Sequence, residues 1–295
     1  MFLSETKLIR EAKKSRHLYN VIIGYLLIFL FLIVGQLAGL MVFNIIKSVL
    51  NISSSSPIYF SISLMTDFLF CTLAVFIWVK KYEKRRISGM GFYRDRFIKK
   101  YILGFIVGVI LFSLVVLLLT VTGHINLLSG INTSSIIGLI VVLPGWMIQG
   151  ATEEILVRGW LMNVLGAKYN STTIGVIFSS LLFAIMHLLN PNASLVAFLN
   201  LFITGILFSL YVIKTKNLWG ACGLHTAWNF FQGNIFGFEV SGLQPGGGSL
   251  MKLKLVGSKL FTGGSFGPEA GFACTIVLCI TIIILFYMIK KNYDN

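Results

Sequence analysis

Residues 136–164 read IIGLIVVLPGWMIQGATEEILVRGWLMNV. A bilayer takes about 20 predominantly apolar residues to cross, so this run is long enough to span one. Yet it carries Glu153, Glu154 and Arg158. Charge at membrane depth is costly and is kept where it serves a cavity, a relay or a substrate. On a helix Glu154 and Arg158 are i,i+4 neighbours and can pair, whereas Glu153 points about 100° away. One carboxylate is then neutralised and the other is free to face a cavity, where it can act as a general base. Pro144 in the same run is a point for a kink.

The rest of the chain sets this run among others like it. Of 295 residues, 56% are hydrophobic and 12% charged, and the mean hydropathy is +0.87. That composition excludes a soluble globular domain and predicts a polytopic membrane protein. The fold class is all-α: a transmembrane helical bundle of about eight spans, at 19–43, 58–79, 101–122, 136–164, 172–190, 194–213, 217–238 and 271–290. A basic arm, 1–18, precedes a single transmembrane domain, 19–290, whose core lies at about 136–238, and a tail, 291–295, follows. The first run lacks a small-residue cleavage site and reads as a retained anchor.

Lys and Arg orient the bundle. With both termini cytoplasmic, twenty fall inside, among them Arg158 and the nine of segment 80–100. Only Lys47, Lys252, Lys254 and Lys259 fall outside. This asymmetry is the positive-inside pattern. The net charge of +14 therefore points to the lipid bilayer as partner, not to nucleic acid. Cys71, Cys222, Cys274 and Cys279 lie in apolar runs without metal-ligand spacing. The glycine-rich connection 239–270 predicts an ordered re-entrant or surface loop. Its Gly263–Gly267 stretch is a formal G-x-S-x-G, which needs a strand-to-helix elbow that nothing here predicts.

Two further apolar runs carry polar pairs at i,i+4: Phe183 and His187 in FAIMH, and His225 and Asn229 in HTAWN. Taken singly, His187 reads equally as a satisfied core histidine, and His225 with Asn229 as an interhelical packing pair. Depth ties them together. At about 1.5 Å per residue, Glu154 lies about 15 Å from the cytoplasmic end of its span, His225 about 12 Å, Asn229 about 18 Å and His187 about 22 Å. All four fall toward the middle of the membrane and can converge. Asp67, a further intramembrane acid, has no evident partner.

EEILVR, FAIMH and HTAWN together resemble the signatures E-E-x-x-x-R, F-x-x-x-H and H-x-x-x-N of the CPBP family, which holds type II CAAX prenyl proteases and the bacterial Abi or bacteriocin-protection proteins. The resemblance covers about 150–230. It implies an intramembrane endopeptidase that hydrolyses a peptide bond in a membrane-associated peptide or protein. Glu153 would activate water, with His187 holding it. His225 and Asn229 would stabilise the oxyanion. Glu154, Arg158 and Phe183 would position the others. The family label is metalloprotease, and Glu153, His187 and His225 are residue types that a zinc ion takes. There is no H-E-x-x-H. A cut near the cytoplasmic leaflet, in a bacterial plasma membrane, is the expected setting. Two rivals stand beside it: a non-catalytic immunity or peptide-sequestering protein of the same fold, and a transporter with a proton relay through Glu153 and His187. No inverted repeat supports the transporter.

Overall fold

The computed structural model describes residues 5–294. A short helix, α1 (Lys7–Ala12), comes first, followed by three long ones: α2 (Val21–Leu50), α3 (Pro57–Lys81) and α4 (Phe97–Val121). Next is α5 (Ile136–Glu154), which runs through a π-helical turn, Ile155–Leu161, into α6 (Met162–Lys168). Then come α7 (Thr172–Met186), α8 (Leu195–Thr215) and α9 (Trp219–Phe230), the last extended by a second π turn, Phe231–Ile235. A single turn, α10 (Lys259–Thr262), precedes the final helix, α11 (Phe272–Asp294). Side-chain caps start several of these helices: Asn20 accepts from the Ile23 N–H at 2.9 Å, and Ser194 accepts from the Ala197 N–H at 3.1 Å.

Each of the eight expected runs contains a helix. Six segments are long and apolar enough to cross a membrane: α2, α3, α4, the 133–168 run, α8 and α11. The other two, α7 and α9, have 15 and 12 helical residues. Every residue of α9 from Gly220 to Phe230 is buried. It packs between α4 and α5, so its neighbours, rather than lipid, cover its polar groups.

Glycine permits that packing. Gly104 and Gly108 of α4 lie directly against the backbone of Gly220 and Leu224, where a Cβ would collide. Gly35 and Gly39 of α2 face the backbone of Cys71 and Thr66 on α3 in the same way. Small residues four apart let membrane helices approach closely and gain dispersion contacts. The opposite faces carry an apolar belt, Ile33, Leu37 and Leu40 on α2 and Ile106 and Ile110 on α4, all exposed in the isolated chain.

The structure adds details to the sequence reading. The chain is not wholly helical: β1 (Ile125–Ser129) pairs antiparallel with β2 (Lys252–Leu255). The basic arm is docked through Leu8, Ile9 and Ala12, with Ile9 against Gly166 of α6; its residues 1–4 lie outside the described residues. Of the expected tail, 291–294 continue α11 and Asn295 lies outside them. Arg158, counted among the cytoplasmic charges, is fully buried. It belongs to the core, because Glu154 neutralises it there. Segment 80–100 is anchored by Glu83, which binds Arg85 and accepts from Trp160 Nε1 at 2.7 Å.

Candidate active site

The π turn begins one residue after the paired glutamates. Single π turns in α-helices are frequent at functional sites, where the extra residue re-aims the side chains on either side. Here the two carboxylates diverge. Glu154 turns inward and accepts from Arg158 Nη1 at 2.7 Å, both side chains being fully buried. The Arg158 guanidinium stacks over the Phe183 ring at 4.4 Å and lies 5.3 Å from that of Phe208. Glu153 turns the other way. Its Oε1 accepts from Gln149 Nε2, one helical turn earlier. Its Oε2 is buried with no hydrogen-bond partner.

That unpartnered oxygen faces both histidines. It lies 3.7 Å from His225 Nε2 and 4.0 Å from His187 Nε2. Each imidazole is oriented through its other nitrogen. His187 caps the end of α7, and its Nδ1–H donates to the Phe183 carbonyl at 2.8 Å. His225 donates from Nδ1 to Glu154 Oε1 at 2.9 Å. A carbonyl and an Arg-paired carboxylate are acceptors, so the proton sits on Nδ1 in both rings and both Nε2 atoms point toward Glu153. Asn229, one turn beyond His225, donates from Nδ2 to Gln149 Oε1 at 2.8 Å. An Asn229–Gln149–Glu153 chain thus fixes the carboxylate and leaves the second Asn229 N–H unused by it.

Glu153, His187, His225 and Asn229 all line one cavity of about 400 Å³. Of the four residues that the depth argument expected to converge, His187, His225 and Asn229 line this cavity, and Glu154, outside its lining, meets His225 at 2.9 Å. Phe183, beside them, holds Arg158 and lies 4.9 Å from the His187 ring. Residues 132–231 match the Rce1-like family of type II CAAX prenyl endopeptidases. All three motifs fall within the matched segment, and the resemblance read from them stands on it. The chain carries helices long and apolar enough to cross a membrane, and its segment 132–231 is similar to that endopeptidase family. No curated protein and no solved structure matches it.

Several residues of this site were not assigned to it from the sequence. Gln149 was silent because glutamine in an apolar run reads as an ordinary helix former. Asp67 of α3 lines the same cavity. So do Ser241 and Glu269 from the connection before α11. Asn234 binds that connection to the helices: it donates to the Gly246 and Gly248 carbonyls at 2.9 and 2.7 Å and accepts from Trp146 at 2.6 Å. Glu269 Oε1 accepts both the N–H and the O–H of Ser241. Burial pushes the Glu269 carboxyl above its ordinary value, and the Ser241 hydrogen bonds and His187 oppose this. Gly263–Gly267 forms turns, not a strand-to-helix elbow.

As placed, the donors do not form a closed zinc site: Glu153 Oε2 lies 3.7 and 4.0 Å from the two imidazole nitrogens, a few tenths of an ångström wider than the separation of about 3.4 Å between ligand atoms of a tetrahedral site. Among the described residues no group of three or more His, Cys, Asp or Glu is arranged to hold a metal ion.

Proposed function

We propose that the chain is an intramembrane endopeptidase in which Glu153 activates the attacking water. The observation that carries this reading is the buried, unpartnered Glu153 Oε2 between two histidine Nε2 atoms at a cavity wall. Separations near 4 Å between polar groups suit a bridging water. Glu153 takes one proton from that water as its oxygen attacks the carbonyl of the scissile bond. His187 Nε2 orients the same water. The free Asn229 N–H is the donor for the oxyanion, and His225 Nε2 faces the same space. The C–N bond then breaks, and Glu153 passes its proton to the departing amine. Glu154 and Arg158 position His225 without touching substrate.

The distribution of Lys and Arg supports one side of the membrane within this reading. The basic residues gather where α3, α6 and α8 end, while Ser241 and Glu269, at the other end, line the cavity. The reading therefore places the opening toward the non-cytoplasmic face of a bacterial plasma membrane, in place of the cytoplasmic leaflet expected from sequence. His187 explains the shift: it closes α7 at its far end. The test is cleavage of a quenched peptide library by purified wild type and Glu153→Gln. A loss of about 10²–10⁴-fold supports the base. Equal turnover by both proteins removes it. Binding of peptides without turnover by either would favour the sequestering alternative.

A further inference from the structure

The catalytic reading leaves two carboxylates of the same cavity without a task. Asp67 lies on its α3 wall and Glu269 on the wall made by the connection before α11. Both fall outside the segment that matches the endopeptidase family. With Glu153 they make three acids, and no Lys or Arg lines the cavity among the described residues. Arg158 does not supply the missing charge, because Glu154 and the Gly205 carbonyl hold it away from the cavity. The Asp67 carboxylate has no hydrogen-bond or ion-pair partner among the described residues. Glu153 Oε2, nine-tenths buried with its residue, points into the same space unpartnered.

Acids set among apolar walls carry a desolvation cost that a bound cation offsets. A cationic side chain nearby also favours their ionised forms. A carboxylate ligand would meet only like charge there. At about 400 Å³ the cavity falls in the range of ordinary ligand pockets and holds a few side chains.

We infer that the cavity selects a peptide segment with a Lys or Arg side chain beside the scissile bond, received by Asp67 and Glu269. This rests on the endopeptidase reading. It makes the substrate a cationic stretch of a membrane-associated peptide, cut at an internal bond with its terminal carboxylate outside the cavity.

The test uses purified full-length protein in neutral detergent. Three quenched peptides share one apolar sequence and carry Lys, Met or Glu at one position, moved in turn along the peptide. At the selected position kcat/KM for Lys is expected to exceed that for Met by about tenfold or more, with Glu lowest. Asp67→Asn and Glu269→Gln each lower the Lys-to-Met ratio severalfold, and the pair together bring it near one. The same peptides, fluorescein-labelled, are titrated onto Glu153→Gln protein, which reads charge selection in binding without turnover. Asp67→Ser replaces Asp67→Asn if the latter fails to elute as a folded species. A Lys-to-Met ratio near one in both cleavage and binding overturns the inference. So does a ratio that survives the double substitution. Lys-selective binding without any cleavage leaves cation selection standing and removes the endopeptidase reading instead.

Discussion

Glu154→Gln and Arg158→Met, made singly and together, separate the worth of a buried charge pair from the damage of leaving half of it. Both side chains are fully buried and 2.7 Å apart. Removing either one strands the other charge, with Glu154 left His225 and Arg158 left the Gly205 carbonyl at 3.4 Å and the Phe183 and Phe208 rings. Stranding one partner of a buried pair costs about 3–5 kcal/mol, whereas replacing both by neutral groups of similar volume is often close to neutral. At roughly 2–4 °C per kcal/mol for larger domains, each single substitution lowers the unfolding midpoint by roughly 6–20 °C. The double variant recovers most of that. Thermal unfolding of detergent-solubilised protein, followed by tryptophan fluorescence, measures all four corners of the cycle. Cleavage measured on the same samples is expected to stay about 10²-fold down in the double variant, because His225 has lost the carboxylate that aims it. A double variant that falls by the sum of the two singles refutes the coupling. Stability and activity recovering together would refute the positioning role of Glu154.

Other outcomes follow from the same contacts. Gln149→Leu removes the donor to Glu153 and the acceptor of Asn229; turnover is expected to fall about 10²-fold, with a smaller loss of about 1–3 kcal/mol in stability, read by peptide cleavage and thermal unfolding. Gly104→Leu sets a side chain against the Gly220 backbone; it forces α4 off α9, costs about 1–3 kcal/mol or more, and is expected to lower both the unfolding midpoint and cleavage. Glu269 has a folded pKa above its ordinary 4.5 because of burial. Above pH 4.5 the native state therefore keeps a proton that the unfolded chain has lost, and stability falls as pH rises toward the folded value. Glu269→Gln is expected to flatten that part of a plot of midpoint against pH, and an unchanged slope would show that Glu269 does not cause it.

The amino-acid order made the bundle and the four converging polar residues legible because each depends on local spacing. Helical period places Glu154 over Arg158 and separates it from Glu153. Apolar length marks the spans. Rise per residue aligns His225 and Glu154 in depth. What stayed hidden depends on partners far along the chain. Gln149 links Glu153 to the far wall of the site only because Asn229, eighty positions later, folds beside it. Strand β1 is a short apolar stretch after α4 until Lys252–Leu255 pairs with it. Glu269 is an isolated acid in a glycine-rich loop until Asn200 of α8 takes the carbonyls of Glu269 and Gly271 at 2.9 Å and fixes the chain at the cavity.

The adjacent glutamates show why such a site needs both kinds of information. A carboxylate turned toward Arg158 and His225 is turned away from the cavity and cannot also present an oxygen to water there. Two in succession can, since neighbouring positions on a helix face different ways. Glu154 uses Oε1 for both Arg158 and His225, whereas Glu153 lines the cavity and keeps its Oε2 unpartnered. The division of labour is written in the sequence, but which glutamate takes which role is decided by geometry. Arg158 sits one turn after Glu154, and Gln149 sits one turn before Glu153. Exchanging the roles would therefore require moving both partners. Glu153→Gln and Glu154→Gln should then fail differently: the first keeps its unfolding midpoint and loses turnover, the second loses both. Two variants with the same midpoint would show that the pairing with Arg158 carries no structural weight.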